Sequence, residues 1–111
     1  MTQGTDPHSC CALEVDPNET RMALGGELTV AEAQELHTQA IRCVTLGKPI
    51  RVDLANVTYV DAAILQLLAA TRRAAVSAHV PFVVQHAAPS LINDAELLGL
   101  GAVLTEGAET P

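Results

Sequence analysis

The chain has 111 residues, 49% of them hydrophobic, with Tyr59 and Phe82 as the sole aromatics; it has length for one core, and must fill it with Leu, Val, Ile and Ala. Six basic against thirteen acidic residues give a net charge of −7, which repels a phosphate backbone, and the missing aromatics deny single-stranded nucleic acid its stacking platforms, so nucleic acid is excluded as the expected partner. No apolar run reaches membrane-spanning length and the start MTQGTDPHSC lacks a signal-peptide core, which leads to the expectation of a cytoplasmic protein without membrane insertion.

Residues 1–10 are mostly polar and include Gly4 and Pro7, and read as a flexible lead. Cys10, Cys11 and Cys43 are odd in number and lack a C-x-x-C spacing, so they read as reduced thiols. His8, His37, His79 and His86 show no spacing that would place two ligands on one helix face, so no metal or other cofactor is expected. Cys11–Val15 suits a strand, Asp16-Pro17-Asn18-Glu19 a turn, and Arg21–Leu24 a second strand completing a hairpin. Gly25-Gly26 interrupts it, and without a following Lys-Ser or Lys-Thr signals a bulge or a close backbone approach rather than a phosphate loop.

Thr29-Val30-Ala31-Glu32 has the form of a capping box and starts the first helix. Ala33, Leu36, Ala40 and Val44 share its inner face, and Gly47 with Pro49 ends it. Ile50, Val52 and Leu54 alternate with Arg51 and Asp53 as in an inner strand, and Ala55 to Val60 reads as a loop. Asp61 can cap the second helix, expected over Ala62–Ala78. At 100° per residue Ile64, Leu65, Leu68, Thr71, Ala75 and Val76 point inward, while Ala62, Ala63, Gln66, Ala69, Ala70, Arg73, Ala74 and Ser77 point outward.

Val80–Gln85 reads as a fourth strand with Pro81 near its start. Ser90 is expected to cap a third helix whose Leu91, Ala95 and Leu98 face the core, and Gly99 and Gly101 to close it. Ala102 to Thr105 then adds a last strand, and residues 106–111 form an acidic tail. The order β-β-α-β-α-β-α-β predicts an α/β fold: a small mixed, mainly parallel sheet with helices packed against it.

The run Val52-Asp53-Leu54, Val57-Thr58-Tyr59-Val60-Asp61, two small residues and Leu65 resembles the STAS family, the domain of bacterial anti-sigma factor antagonists and sulfate transporters, whose members read close to D-L-S-x-V-x-x-I-D-S-S-G-L. Gly25-Gly26-Glu27-Leu28-Thr29 is similar to the family's G-x-L-T before its first helix, and Pro89-Ser90 with Leu98-Gly99-Leu100 to the pattern near its end. The resemblance covers Ala12 to about Thr105 and implies a single STAS-like domain, expected over residues 11–105.

In the antagonists a serine at the start of the second helix is phosphorylated by the partner kinase, and the added charge opens the interface. Ala62 and Ala63 stand at that position here, and Ile64 replaces the usual glycine, so the resemblance implies a degenerate phosphosite without its acceptor hydroxyl. Thr58 is the nearest hydroxyl that remains. The stretch Ile64-Leu65-Gln66-Leu67-Leu68 is also similar to STAS proteins that accompany chemotaxis operons and to the STAS subunit of phospholipid-trafficking ABC transporters.

The expected function is therefore a non-enzymatic interaction module of bacterial signalling. Its partner-binding residues would be Asn56, Thr58, Asp61, Ala62, Ala63, Gln66, Ala70 and Arg73. The partner implied by the resemblance is an anti-sigma factor kinase, a chemotaxis component or an ABC transporter ATPase. A small molecule at the strand ends is the alternative. For catalysis there is no visible carrier: Asp53 lacks the acidic pair and the later lysine that phosphoacceptor chemistry needs, since Lys48 is the sole lysine, and no nucleophile elbow occurs.

Overall fold

Local turn chemistry sets the first hairpin. β1 (Cys11–Val15) and β2 (Thr20–Leu28) pair antiparallel from Val15 opposite Thr20 to Cys11 opposite Leu24. Between them Asp16 Oδ1 accepts the N–H groups of Asn18 at 2.7 Å and Glu19 at 2.8 Å, the local side-chain bonding for which Asp is favoured in turns. The computed structural model describes residues 10–105; the expectations for a flexible lead and an acidic tail fall, apart from Cys10, outside them. Cys10 is buried, and its carbonyl accepts the Gly25 N–H at 3.0 Å.

The sheet has four strands in the order β1-β2-β3-β4. β3 (Ile50–Val60) pairs parallel with β2 on one side and with β4 (Phe82–Gln85) on the other. The expected stop at Leu24 is not observed: β2 runs on to Leu28, with register shifts on both sides of the glycine pair and Gly26 at φ 78. The glycines make the expected bulge without ending the strand, because the backbone ladder to β3 resumes beyond them.

Ala55 to Val60 is likewise strand rather than loop. β4 pairs with β3 only as far as Asp53, whereas β2 stays paired with it up to Leu28 opposite Val60. Backbone hydrogen bonds to β2 extend the strand, although Ala55, Val57 and Tyr59 alternate out of phase with Ile50, Val52 and Leu54. β4 begins at Phe82 rather than Val80, since Pro81 has no N–H for the ladder and the Val80 N–H is taken by the Ala75 carbonyl at 2.8 Å.

The capping box forms as expected, and a turn of 3₁₀ helix (Val30–Glu32) leads into α1 (Ala33–Leu46). Leu36 and Ala40 are buried on α1, with Cys43 beside them, and Ala33 and Val44 pack at the margin. Gly47 ends α1 at φ 73, and its N–H bonds to the Val44 carbonyl. α2 (Ala62–Ser77) buries Ile64, Leu65, Leu68, Thr71 and Ala75 as expected. Two of its assignments reverse: Ala69 is buried at 5% exposure and Val76 is 59% exposed. Seven residues apart, they differ by about 20° around the axis, so periodicity cannot separate them and position along the helix decides.

α3 (Pro89–Leu97) takes Ala88, not Ser90, as its N-cap. Pro89 occupies the first helical position with its preset φ and missing N–H, which places Ser90 already inside the helix. Leu91 and Ala95 are buried, but Leu98 is 51% exposed because the chain reverses at Gly99 (φ 75). The expected last strand is a helix, α4 (Gly101–Thr105). A short apolar run carries no period to distinguish the two. Consecutive Val103 and Leu104 are both buried, which a helix permits and a strand lying on a one-sided sheet does not.

The result is a two-layer α/β domain with one mixed sheet. α1 packs on α2, α2 on α4, and α4 on α3 and β4. Met22, Leu24, Ile50, Val52, Leu54, Phe82 and Val84 are among the buried sheet residues of the core. Their alternating neighbours Arg21, Ala23, Arg51, Val83 and Gln85 remain partly exposed on the other face.

Candidate functional site

The parallel register of β2 and β3 brings two helix entrances together. Leu28 lies opposite Val60, so Thr29 and Val30, leading to α1, are neighbours of Asp61, leading to α2. The Asp61 N–H donates to the Leu28 carbonyl at 3.0 Å. Its Oδ1 accepts the Ile64 N–H at 3.3 Å, and its Oδ2 accepts the Val30 N–H at 3.0 Å. One carboxylate thus satisfies a free donor at each of two helix starts, where the backbone dipoles favour negative charge.

Glu32 Oε1 accepts both the N–H and the hydroxyl of Thr29 at 2.8 Å. These bonds hold the Glu32 carboxyl below its ordinary range, against the opposing charge of Asp61. The region therefore carries two hydrogen-bonded carboxylates, Asp61 and Glu32, at its base.

Around it the predicted residues separate into two groups. Asn56 and Thr58 lie exposed on the far half of β3. Thr58 lines a recess of about 60 Å³ with Val60, Ser90 and Asp94. Ala62 and Ala63 are exposed in the first turn of α2, and Gln66, Ala70 and Arg73 are exposed further along it. From Ala63 to Arg73 the last four fall within an arc of about 80°. The structure therefore joins an exposed strand end to an exposed helical stripe, with Asp61 at the joint. Sequence reasoning missed Val30, 70% exposed, and Tyr59, 52% exposed. The capping box located the first helix start, but only the β2–β3 register shows that it lies against the second.

A second polar cluster lies mid-strand. Asp53 is buried and is bound by Arg21 Nη2, by the Ala55 N–H at 2.9 Å and by His86 Nδ1 at 2.9 Å. Arg21 also reaches Glu14 at 3.2 Å. Burial alone would raise the Asp53 carboxyl, but the hydrogen bonds from His86, Ala55 and Arg21 outweigh it and hold the group below its ordinary range. The cluster ties β1, β2 and β3 to the exit of β4. Among the described residues no group of three or more His, Cys, Asp or Glu is placed to hold a metal ion.

Cys10, Cys11 and Cys43 form no disulfide, are buried and hold their protons. Burial, with Glu35 adding to it, pushes Cys10 up to about 11. Burial, with Cys10, Cys43 and Glu35 adding, pushes Cys11 to about 12. Cys43 rises to about 11 through burial, with Arg42 pulling the other way. Such groups are poor nucleophiles at neutral pH. No helix among the described residues is long and apolar enough to cross a membrane.

A family model described as "Mlab, STAS domain" matches residues 11–106. No curated protein matches the chain. Among solved structures, a Thermotoga maritima protein provisionally assigned as an anti-sigma factor antagonist superposes with a TM-score of 0.72 at 13% identity, over 85% of this chain and 82% of its own. The Bacillus cell fate determinant SpoIIAA in its phosphorylated form gives 0.69 at 16% identity over 90% and 91%. The anti-sigma factor antagonist SpoIIAA in its unphosphorylated form gives 0.67 at 14% identity over 78% and 82%. At these identities the structures establish a shared fold.

Proposed function

The chain belongs to the STAS domain family, and from that premise we propose that it is a non-enzymatic protein-interaction module of bacterial cytoplasmic signalling, of the anti-sigma factor antagonist or chemotaxis-associated kind. It docks through the end of β3 and the outward face of α2. The observation that carries this reading is the first turn of α2: Asp61 still caps it, while Ala62 and Ala63 stand exposed where the family places its acceptor serine. The docking surface is retained and the chemical switch is absent, so the module binds without control by serine phosphorylation. The Ala-rich outer face lets a partner approach closely with little loss of side-chain entropy.

Co-purification tests the reading. The protein is expressed with each candidate partner encoded beside its gene: a sigma-regulating kinase, a chemotaxis protein or an ABC transporter ATPase. One of these is expected to co-purify with the wild type and to be lost with Ala63→Arg, whose unfolding curve stays that of a folded domain. Retained binding by Ala63→Arg overturns the surface. Mass spectrometry after incubation with the kinase is expected to find no phosphate; a phosphorylated Thr58 would overturn the unswitched reading.

A further inference from the structure

A groove of about 300 Å³ runs between α1 and α2, distinct from the strand end around Asp61. Its walls are Ala40, Ile41 and Val44 from α1 and Leu67, Ala70 and Ala74 from α2. Ile41 is 53% exposed there. His37, Thr45 and Thr71 also line it, and the Thr71 hydroxyl donates to the Leu67 carbonyl at 2.8 Å. The surface is thus mainly apolar, with small residues on both sides that allow a third backbone to come near.

Charge distinguishes this region from the rest of the molecule. The chain carries −7, yet no Asp or Glu occurs between Leu36 and Leu46 of α1 or anywhere in α2. Arg42 follows Ile41 on α1, and Arg73 stands about one turn from Ala70 on α2; both are exposed. Elsewhere Arg21 is paired with Asp53 and Glu14, Arg51 with Glu19, and Lys48 Nζ with the Asp16 carbonyl. Among the described residues Arg42 and Arg73 have no such carboxylate partner. Both exposed cations therefore stand on the two helices that form the apolar groove, outside its lining, in an acidic protein.

The geometry points to this groove as the seat of an acidic amphipathic helix from the partner protein, its apolar stripe against Ile41, Leu67 and the alanines and its carboxylates against Arg42 and Arg73. The inference rests on the reading of the chain as an interaction module and adds α1 to the contact surface and a sign of charge to the partner. A second copy of the chain fits poorly, because a symmetric pairing of grooves would set like charges against each other.

The test uses the full chain and two designed helical peptides with the same Leu/Ala stripe, one with Glu and one with Lys on the polar face. The Glu peptide is expected to bind, to shift the NMR signals of Ala40, Ile41, Ala70 and Ala74, and to weaken with added salt. Ile41→Glu and Arg42→Glu, both exposed changes, should each reduce its affinity about tenfold. Equal binding of the Lys peptide, shifts mapping elsewhere, no binding, or a dimer dispersed by Ile41→Glu overturns the inference. The two α1 variants also separate it from the docking proposal: a co-purifying partner lost with Ala63→Arg but kept with Ile41→Glu and Arg42→Glu removes the groove and leaves the strand-end surface standing.

Discussion

Asp61 does more than a single cap requires, since its carboxylate serves both Ile64 and Val30. Asp61→Ala is expected to destabilise the domain by about 1–2 kcal/mol, read from urea unfolding, with Asp61→Asn losing less; an unchanged midpoint for Asp61→Ala would show that water replaces both bonds at no cost. Asp53 makes a prediction in pH. Its folded carboxyl lies below the ordinary value, so between the two values the unfolded chain binds more protons and stability rises with pH. The contribution is fully present above about pH 4 and is lost as the pH falls further. Glu32 adds a loss of the same sign. Urea midpoints measured from pH 6 down to pH 3 should therefore fall less steeply for Asp53→Asn than for the wild type. The cap at Asp61 was legible because a cap is local, whereas Asp53 and His86 meet 33 residues apart, and nothing in either neighbourhood marks the other.

At the scale of elements, α2 shows what periodicity can and cannot resolve. The inner face was legible through Ile64, Leu65, Leu68, Thr71 and Ala75, because one stripe of the helix meets the sheet along its length. The flank was not legible, since Ala69 and Val76 share a direction and differ in what covers them. Ala69→Asp is expected to cost about 3 kcal/mol by placing an unpaired charge in the core, while Ala70→Asp, one residue on, leaves the domain folded. Circular dichroism melts of the two variants check this, and equal melts would return Ala69 to the surface. β3 teaches the complementary point. Its first half is marked by Ile50, Val52 and Leu54 facing the core, and its second half is held by pairing with β2 alone.

For the whole molecule the deciding element is α4, which packs against α2, α3 and β4 and so closes the far end of the core. Leu104 is 2% exposed, and Leu104→Ala is expected to destabilise by about 3 kcal/mol in equilibrium unfolding. A loss below about 1 kcal/mol, the scale of a surface change, would place that segment outside the core. The charge distribution belongs to this scale too. Neutral or basic helices on an acidic chain are visible in the sequence, but that α1 and α2 stand side by side with a groove between them is not.

Neighbours along the chain were enough for the hairpin turn at Asp16, the capping box at Thr29, the Gly47 stop and the Asp61 cap, and the order of residues also carried the α/β class and the motif that marks the family. Tertiary structure alone decided the strand lengths of β2 and β3, the helical state of residues 101–105, the burial of Ala69 and the meeting of Asp61 with Val30. The physical reason is common to all of these. Caps and turns are satisfied by groups a few residues away, whereas ladders, flanks and grooves are satisfied by groups that only the folded sheet brings into reach.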